Sequence, residues 1–301
     1  MTLDASCQTG DDRMGPGVTA VVVNYHAYTE LDACLRSLAH QPLLRSVVVV
    51  DQASAPERRV PLEHRFPAVV WLARDDNIGF GAGVNLAARG ASTEYLYLIN
   101  PDAVADPGAV SVLARWLEAH PSVAVAGSLV RNTDGSVQGS ARSFPTISTV
   151  VAGRSSWLTR RFPANRWSRR NVLSGPHVRA AVTVDWVSGA SMMIRRAAFE
   201  EVAGFDERFF LYWEDADLCR RLRTRGWSTA FVPDAEVMHH GNRSSRTRLR
   251  PILAFHRSAL RYYWKHSGRL GFLASPLVVL VLVVRLVWKV VSRHQRAEAA
   301  P

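Results

Sequence analysis

The sequence predicts an α/β protein, a mostly parallel sheet flanked by helices. Three observations carry that reading. Between Val18 and about Val125, short apolar runs rich in valine and aromatic residues alternate with segments whose apolar residues recur at helical spacing. That alternation is the pattern of parallel strands joined by crossover helices. Each strand-like run also ends in a polar residue, and in such sheets ligands bind beyond the carboxyl ends of the strands.

Taken in order, Val18 to Asn24 reads as a continuous buried strand, and Leu31, Cys34, Leu35 and Leu38 follow at helical spacing. Val47 to Asp51 is the second buried strand and Val69 to Leu72 the third. Val84 to Arg89 predicts a helix, Tyr95 to Ile99 a fourth strand, and Val110 to Ala119 another helix. The polar residues at the strand ends are Asn24, Asp51, Asn77 and the triplet Asn100-Pro101-Asp102, and their shared position argues for a nucleotide-type site. After Ser140 the composition shifts to Arg, Ser, Trp and Pro, so residues 141–180 read as a long basic loop or a small helical excursion. Order resumes at Val182 to Val187 and continues through a helix starting near Trp213, with Leu218 and Leu222 inward, to a strand over Thr229 to Met238. The expected organisation is a disordered tail over residues 1–17, one domain over 18–250, and a C-terminal helical segment, basic and apolar by turns, over 251–301.

Composition bounds the function. The 301 residues are 48% hydrophobic, ample for a core. Cys7, Cys34 and Cys219 lie far apart with no CxxC spacing, which predicts neither a disulfide framework nor a zinc site and fits a reducing cytoplasm. The polar, Gly-rich start has no apolar stretch of signal-peptide type. A net charge of +11 implies an acidic partner: nucleic acid, an anionic membrane or a phosphorylated substrate. No nucleic acid is expected, because the basic residues gather in Arg142 to Arg179 and the C-terminal half instead of tracking a recognition helix or an aromatic sheet face.

Several short stretches carry chemistry. Glu214, Asp215 and Asp217 follow the aromatic residues Phe209, Phe210, Tyr212 and Trp213. A carboxylate half-buried among aromatics has a raised pKa, as a general base requires; ordinary capping of a helix N-terminus is the alternative. The cluster Gly79, Gly81, Gly83 lacks the third glycine of a dinucleotide fingerprint, since that position is Val84, and reads as a tight turn with Asn77 and Asn85 on either side. Asp102 at a strand end suits a hard divalent cation that bridges a diphosphate, with a plain Asn-Pro-Asp turn as the alternative. His239 and His240 end the last strand, where only one of two neighbours can face the site.

Together these stretches resemble glycosyltransferase family 2. The resemblance rests on the strand ending in Asn24-Tyr25, Val47 to Ser54, Asp76 to Asn85, Leu98 to Ala103, Val187 to Arg196, Gly204 to Trp227 and Met238 to Ser245, colinear over roughly residues 18 to 265. Within the family the chain is most similar to bacterial rhamnosyltransferases that use dTDP-rhamnose and N-acetylglucosaminyl-diphospho-polyprenol to build the linker between peptidoglycan and arabinogalactan. The resemblance implies a GT-A fold and an inverting single displacement. It places Asp51 on the pyrimidine base, with Asn24 and Asn77 lining the nucleoside pocket and Asn85 nearby. It places Asp102 as the metal-binding aspartate and His239, or else His240, beside it, with Mg²⁺ or Mn²⁺ as the cation. The first position of that aspartate motif is Asn100, so a single direct carboxylate ligand is expected. Asp215 is implied as the general base with Glu214 next to it, and Gly189, Ala190, Ser191 and Asp217 lie on the acceptor side. Another sugar, such as galactofuranose or mannose, is the alternative donor group, and a non-catalytic sugar-nucleotide-binding relative would have lost the base.

The apolar run Leu277 to Val284 is too short to span a bilayer, and Arg269, Arg285, Lys289, Arg293 and Arg296 surround it. This predicts a helix lying in the membrane interface at the cytoplasmic face, which Arg250 to Lys265 extends. The alternative is a helix packed on the domain or on a partner in a homo-oligomer.

Overall fold

The computed structural model describes residues 17–145, 178–240 and 249–298. The N-terminal tail to residue 16, most of the basic 141–180 segment, Gly241 to Ser245, and the side chains of Arg269, Lys289, Arg293 and Arg296 lie outside the described residues.

Val18–Asn24 (β1), Leu44–Asp51 (β2), Val69–Ala73 (β3) and Tyr95–Ile99 (β4) form a parallel half-sheet in the order β3-β2-β1-β4. The register sets Asn24 opposite Asp51. Beyond β4 the sheet is mixed. Ser191–Arg195 (β10) inserts antiparallel between β4 and Val123–Arg131 (β6), and Ser228–His239 (β11) then pairs parallel with β6. Ala103–Ala105 (β5) and Val182–Val184 (β8) run antiparallel along β11. Ala141–Arg142 (β7) pairs with Trp186–Val187 (β9) in a separate ribbon. Six of the nine strands of the main sheet therefore point the same way, and β10 turns the 188–190 loop toward their carboxyl ends.

Alternation along the strands explains why helices cover both faces. Val18, Ala20 and Val22 of β1 and Tyr95, Tyr97 and Ile99 of β4 face one core, which Tyr28–Leu38 (α1), Pro56–Arg65 (α2) and Ala109–Ala119 (α4) close. Val21, Val23, Leu96 and Leu98 face the other, closed by Phe80–Ala88 (α3), Arg196–Glu201 (α5) and Glu214–Thr224 (α6). Both sides of β1 and β4 are buried, so these strands read as unbroken apolar runs. α2 escapes the periodicity, because only Leu62 is buried in it.

The glycine cluster departs from the tight turn expected for it. Only Gly79 lies in a turn, at φ +92°, and an added Cβ there would sit 2.4 Å from the Phe210 carbonyl oxygen. Gly81 and Gly83 lie inside α3, where a Cβ would come within 2.9 Å of Phe205 and 3.0 Å of Val23. They let the helix press between the sheet and the 205–210 loop, at some cost in helix propensity.

At the C-terminus, Leu249–His266 (α7), Gly268–Leu273 (α8) and Ser275–Glu298 (α9) form a helical hairpin against α6. Its anchor is Asp217, fully buried, whose carboxylate accepts from Arg221 Nε (2.7 Å), Lys265 Nζ (2.8 Å) and His266 Nε2 (2.7 Å). Burial pulls the Asp217 pKa upward, but the His266, Lys265 and Arg221 hydrogen bonds outweigh it and the net direction is down. A lowered folded pKa contributes stability that is present above the unfolded carboxylate value of about 4 and is lost as pH falls below it. Replacing Asp217 with Ala takes the acceptor from Arg221 Nε and His266 Nε2, while Lys265 keeps Asp206, and should destabilise the fold by about 3 kcal/mol. Chemical denaturation checks the loss, and hydrogen exchange should show it first in α7.

Candidate functional site

At the carboxyl end of β1 and β2, Asn24 Nδ2 donates to Asp51 Oδ1 at 2.7 Å, while Tyr28 Oη (2.9 Å) and Ser54 Oγ (2.6 Å) donate to Oδ2. Asn24 Oδ1 in turn accepts from Ala27 N. Asp51 is wholly buried and three of the roughly four lone-pair sites of its carboxylate are used within the fold, which leaves room for one further donor. The chain leaves both strands through left-handed residues, His26 at φ 58° and Ala53 at φ 46°. Such conformations cost of order 1–3 kcal/mol each and cluster at functional sites.

The next rim is built by Gln52. Its Oε1 accepts from Ile78 N (2.7 Å) and Gly79 N (3.1 Å), and its Nε2 donates to Gly79 O (3.2 Å). Asn77 Oδ1 also accepts from Gly79 N at 2.9 Å. The 77–79 loop is therefore held by a buried side chain of β2's end.

Beyond β4, the antiparallel pairing of β5 with β11 sets His239 opposite Ala103. His239 Nε2 lies 3.0 Å from Asp102 Oδ1 and 3.3 Å from Asn100 Nδ2, and His239 Nδ1 lies 3.1 Å from Gln138 Oε1. His240 meets the same residue at its backbone, N donating to the Asp102 carbonyl at 3.0 Å, so His239 is the neighbour that faces the carboxylate. Burial raises the Asp102 pKa, but the His239 hydrogen bond and charge outweigh it and the net direction is down. Asp102 therefore stays an anion at neutral pH. One carboxylate oxygen and one imidazole nitrogen side by side are donor types that would suit a Mg²⁺ or Mn²⁺ ion. Among the described residues no group of three or more His, Cys, Asp or Glu side chains could hold a metal.

The 188–190 turn connects this edge to the carboxylate helix. Asn100 N donates to the Ala190 carbonyl at 3.0 Å, and Gly189 N donates to Asp215 Oδ2 at 3.2 Å. Asp215 is half-buried, its second oxygen accepts from Ala216 N, and burial raises its pKa against these hydrogen bonds and the charge of Arg142. Glu214 is buried more deeply, with Oε2 lacking a hydrogen-bond partner; burial first and the Asp215 charge second hold its pKa well above the carboxylate range. Tyr212 and Trp213 enter α6 in consecutive left-handed conformations, φ 68° and 72°, braced by Phe255 and Tyr262 of α7.

Three residues expected at the site are occupied elsewhere in the fold. Asn85 donates to Phe205 O and Glu207 and accepts from Phe205 N, clamping α3 to the 205–207 loop. Ser191 is buried in a hydroxyl chain with Tyr97 and Ser128. Asp217 anchors α7, as described above.

The sequence and the fold that carries these groups have matches among known proteins. The model described as glycosyltransferase like family 2 matches residues 16–254. The chain belongs to glycosyltransferase family 2. An N-acetylglucosaminyl-diphospho-decaprenol L-rhamnosyltransferase of Mycobacterium tuberculosis is 33% identical over 82% of this chain and 84% of its own length. Among solved structures, a mannosyltransferase from Pyrobaculum calidifontis in complex with GDP-Man and Mn²⁺ superposes with TM-score 0.58 at 16% identity, covering 97% of this chain and 77% of that one. GalNAc-T7 with UDP, GalNAc and Mn²⁺ superposes with TM-score 0.61 at 13% identity, and the chain spans about half of it, 52%. The fold of this glycosyltransferase is thus the GT-A-like α/β type.

Sequence reasoning passed over Gln52 and Gln138 in the glycosyltransferase. Gln52 carries a signal in retrospect, a long polar side chain directly after Asp51 in an apolar run. Gln138 sits in a loop after β6 and carries none. Substituting Gln52 with Leu keeps the volume and removes three hydrogen bonds of the 77–79 loop, leaving the Ile78 amide without its acceptor while Gly79 N keeps Asn77 Oδ1. A loss of about 2–4 kcal/mol is expected in thermal or chemical unfolding.

Proposed function

We propose that the enzyme transfers L-rhamnose from dTDP-rhamnose to N-acetylglucosaminyl-diphospho-polyprenol with inversion, in synthesis of the cell-wall linker. The sugar and acceptor rest on the 33% identity to the mycobacterial enzyme, and the nucleotide on the resemblance drawn from the sequence. The observation that carries the mechanism is the hydrogen-bonded run from Asn100 through the 188–190 turn to Asp215, which ties a diphosphate-binding edge to a carboxylate of raised pKa.

In this reading Asp51, with one acceptor position left, takes the N–H of the pyrimidine, and Asn24 and the 77–79 loop frame the nucleoside. Asp102 and His239 would hold the divalent cation, Mg²⁺ or Mn²⁺, which when bound would neutralise charge on the leaving diphosphate. Asp215 accepts the proton of the acceptor hydroxyl as its oxygen bonds to the anomeric carbon, and the bond from that carbon to the diphosphate breaks on the opposite face. Gly189 N fixes the orientation of Asp215. Glu214, kept protonated by burial, adds no second negative charge beside it. The lipid-linked acceptor brings the reaction to the cytoplasmic face of the membrane; no helix among the described residues is long and apolar enough to cross it.

A donor screen with polyprenol-linked acceptor tests the substrates: dTDP-rhamnose is expected to be used, and turnover of UDP- or GDP-sugars alone would overturn the assignment. Asp215→Asn keeps shape and removes basicity, so donor binding should persist while the rate falls about 10²–10⁴-fold. Because the Asp215 pKa is raised, the acid limb of the kcat/KM profile should lie above the ordinary carboxylate value of about 4. Asp102→Ala, or excess chelator, should abolish turnover, and an unchanged rate in either would remove the cation from the mechanism.

A further inference from the structure

Over Leu277 to Trp288, α9 is built inside out. A helix lying on a protein ordinarily turns its apolar stripe inward and its charges outward. Here Leu277, Leu280, Val283, Val284, Val287 and Trp288 recur at three- and four-residue intervals and are all 47–60% exposed. The cation within the same stretch, Arg285, turns inward, with its guanidinium 4.9 Å over the Phe255 ring. Only Val278 and Leu282 are buried there, against Ala259 of α7. A contiguous apolar face of this kind marks an interaction surface.

Two occupants would cover it, a bilayer or a second copy of the chain, and charge decides between them. The outer face of α7 carries Leu253, Arg257, Arg261 and Trp264 at intervals of four, four and three, all exposed. Among the described residues neither arginine takes part in an ion pair. With a net charge of +11 the chain repels its own copies and attracts anionic headgroups. Leu277 to Trp288 covers only about 17 Å at 1.5 Å per residue, well short of the ~30 Å hydrocarbon core.

We propose that the α7–α9 hairpin docks on an anionic bilayer, with the apolar stripe of α9 lying in the plane of the interface and Arg257 and Arg261 meeting the headgroups. The use of such docking rests on the lipid-linked acceptor proposed above; the docking itself does not. Phe255, under Arg285, touches Tyr212 and Trp213, which lead directly into Glu214 and Asp215. The docked hairpin therefore holds the carboxylate helix close to the headgroup level, where a polyprenyl diphosphate presents its sugar.

The test is flotation of the full chain with phosphatidylcholine vesicles that contain or lack phosphatidylglycerol, with no donor or acceptor added. The chain should float with the anionic vesicles. L280D/V284D should lower the bound fraction about tenfold or more, and R257E/R261E should lower it and flatten its salt dependence, both with unchanged thermal unfolding. In the unsubstituted protein, brominated lipid should quench tryptophan fluorescence, and W288F should lose part of that quenching. Should either double variant misfold, the quenching decides. The proposal is overturned if the chain stays at the bottom of the gradient, if L280D/V284D floats as well as the parent, or if sedimentation shows a dimer that this variant dissociates, which assigns the face to a second copy. A wrong donor sugar would leave every one of these outcomes unchanged.

Discussion

The site depends on one strand that runs against its neighbours. β10 lies antiparallel between β4 and β6, its Ser191 opposite Ile99. A parallel strand here would have delivered the 188–190 turn to the far end of the sheet. Reversed, it presents that turn where β4 ends, so the Ala190 carbonyl accepts from Asn100 and the Gly189 amide reaches Asp215. β10 is pinned at the same place by Tyr97, Ser191 and Ser128, whose hydroxyls form a buried chain across β4, β10 and β6. A hydroxyl chain inside an apolar core is costly unless every member is paired, so it also opposes a shift of β10 by one residue, which would turn Ser191 to the opposite face.

Four of the six described non-glycine residues with positive φ lie beside the candidate site, the other two being Leu43 and Ala203. His26, Ala53, Tyr212 and Trp213 each lie within two residues of a side chain assigned to the site. Their neighbours hold them there: Asn24 through Ala27 N, Asp51 through Ser54, and Phe255 and Tyr262 against the two aromatic residues. The wholly buried Asp51 is thus a brace for the bends at the ends of β1 and β2. The C-terminal hairpin braces the carboxylate helix in the same way, because Ser258 Oγ donates to the Leu211 carbonyl just ahead of Tyr212.

Legibility followed periodicity. β1, β2, β4 and the helices containing Leu31 and Val110 announced themselves because both faces of the strands and one face of each helix are apolar. α2 was silent because it buries a single leucine, and β5 because three residues carry no period. The reversal of β10 is a property of the whole topology, with no mark in Ser191 to Arg195 themselves. Among the residues expected at the site, Asp102 and His239 read as strand-end groups, and they lie 3.0 Å apart. Asn85 misled: an amide beside a glycine cluster suggests a nucleotide, but the glycines are packed inside α3 and the amide serves the 205–207 loop. The inside-out α9 is composed of the same residues as a buried helix, and only its exposure tells the two apart.

The three carboxylates of α6 show most clearly why composition could not assign roles. Glu214, Asp215 and Asp217 occupy one turn, and each at first sight caps a helix or serves as a base. Rotation about the helix axis gives each a different surrounding. Asp217 turns to a Lys, an Arg and a His and is held as an anion by them. Glu214 turns into the core, finds no donor for Oε2, and is held protonated by lost hydration. Asp215 alone keeps contact with solvent while two backbone amides fix its oxygens. A base has to be charged at working pH, weakly enough stabilised to take a proton, and reachable by the hydroxyl that gives one. Asp217 fails the second and third requirements and Glu214 the first, which leaves Asp215 as the carboxylate whose surroundings suit the chemistry.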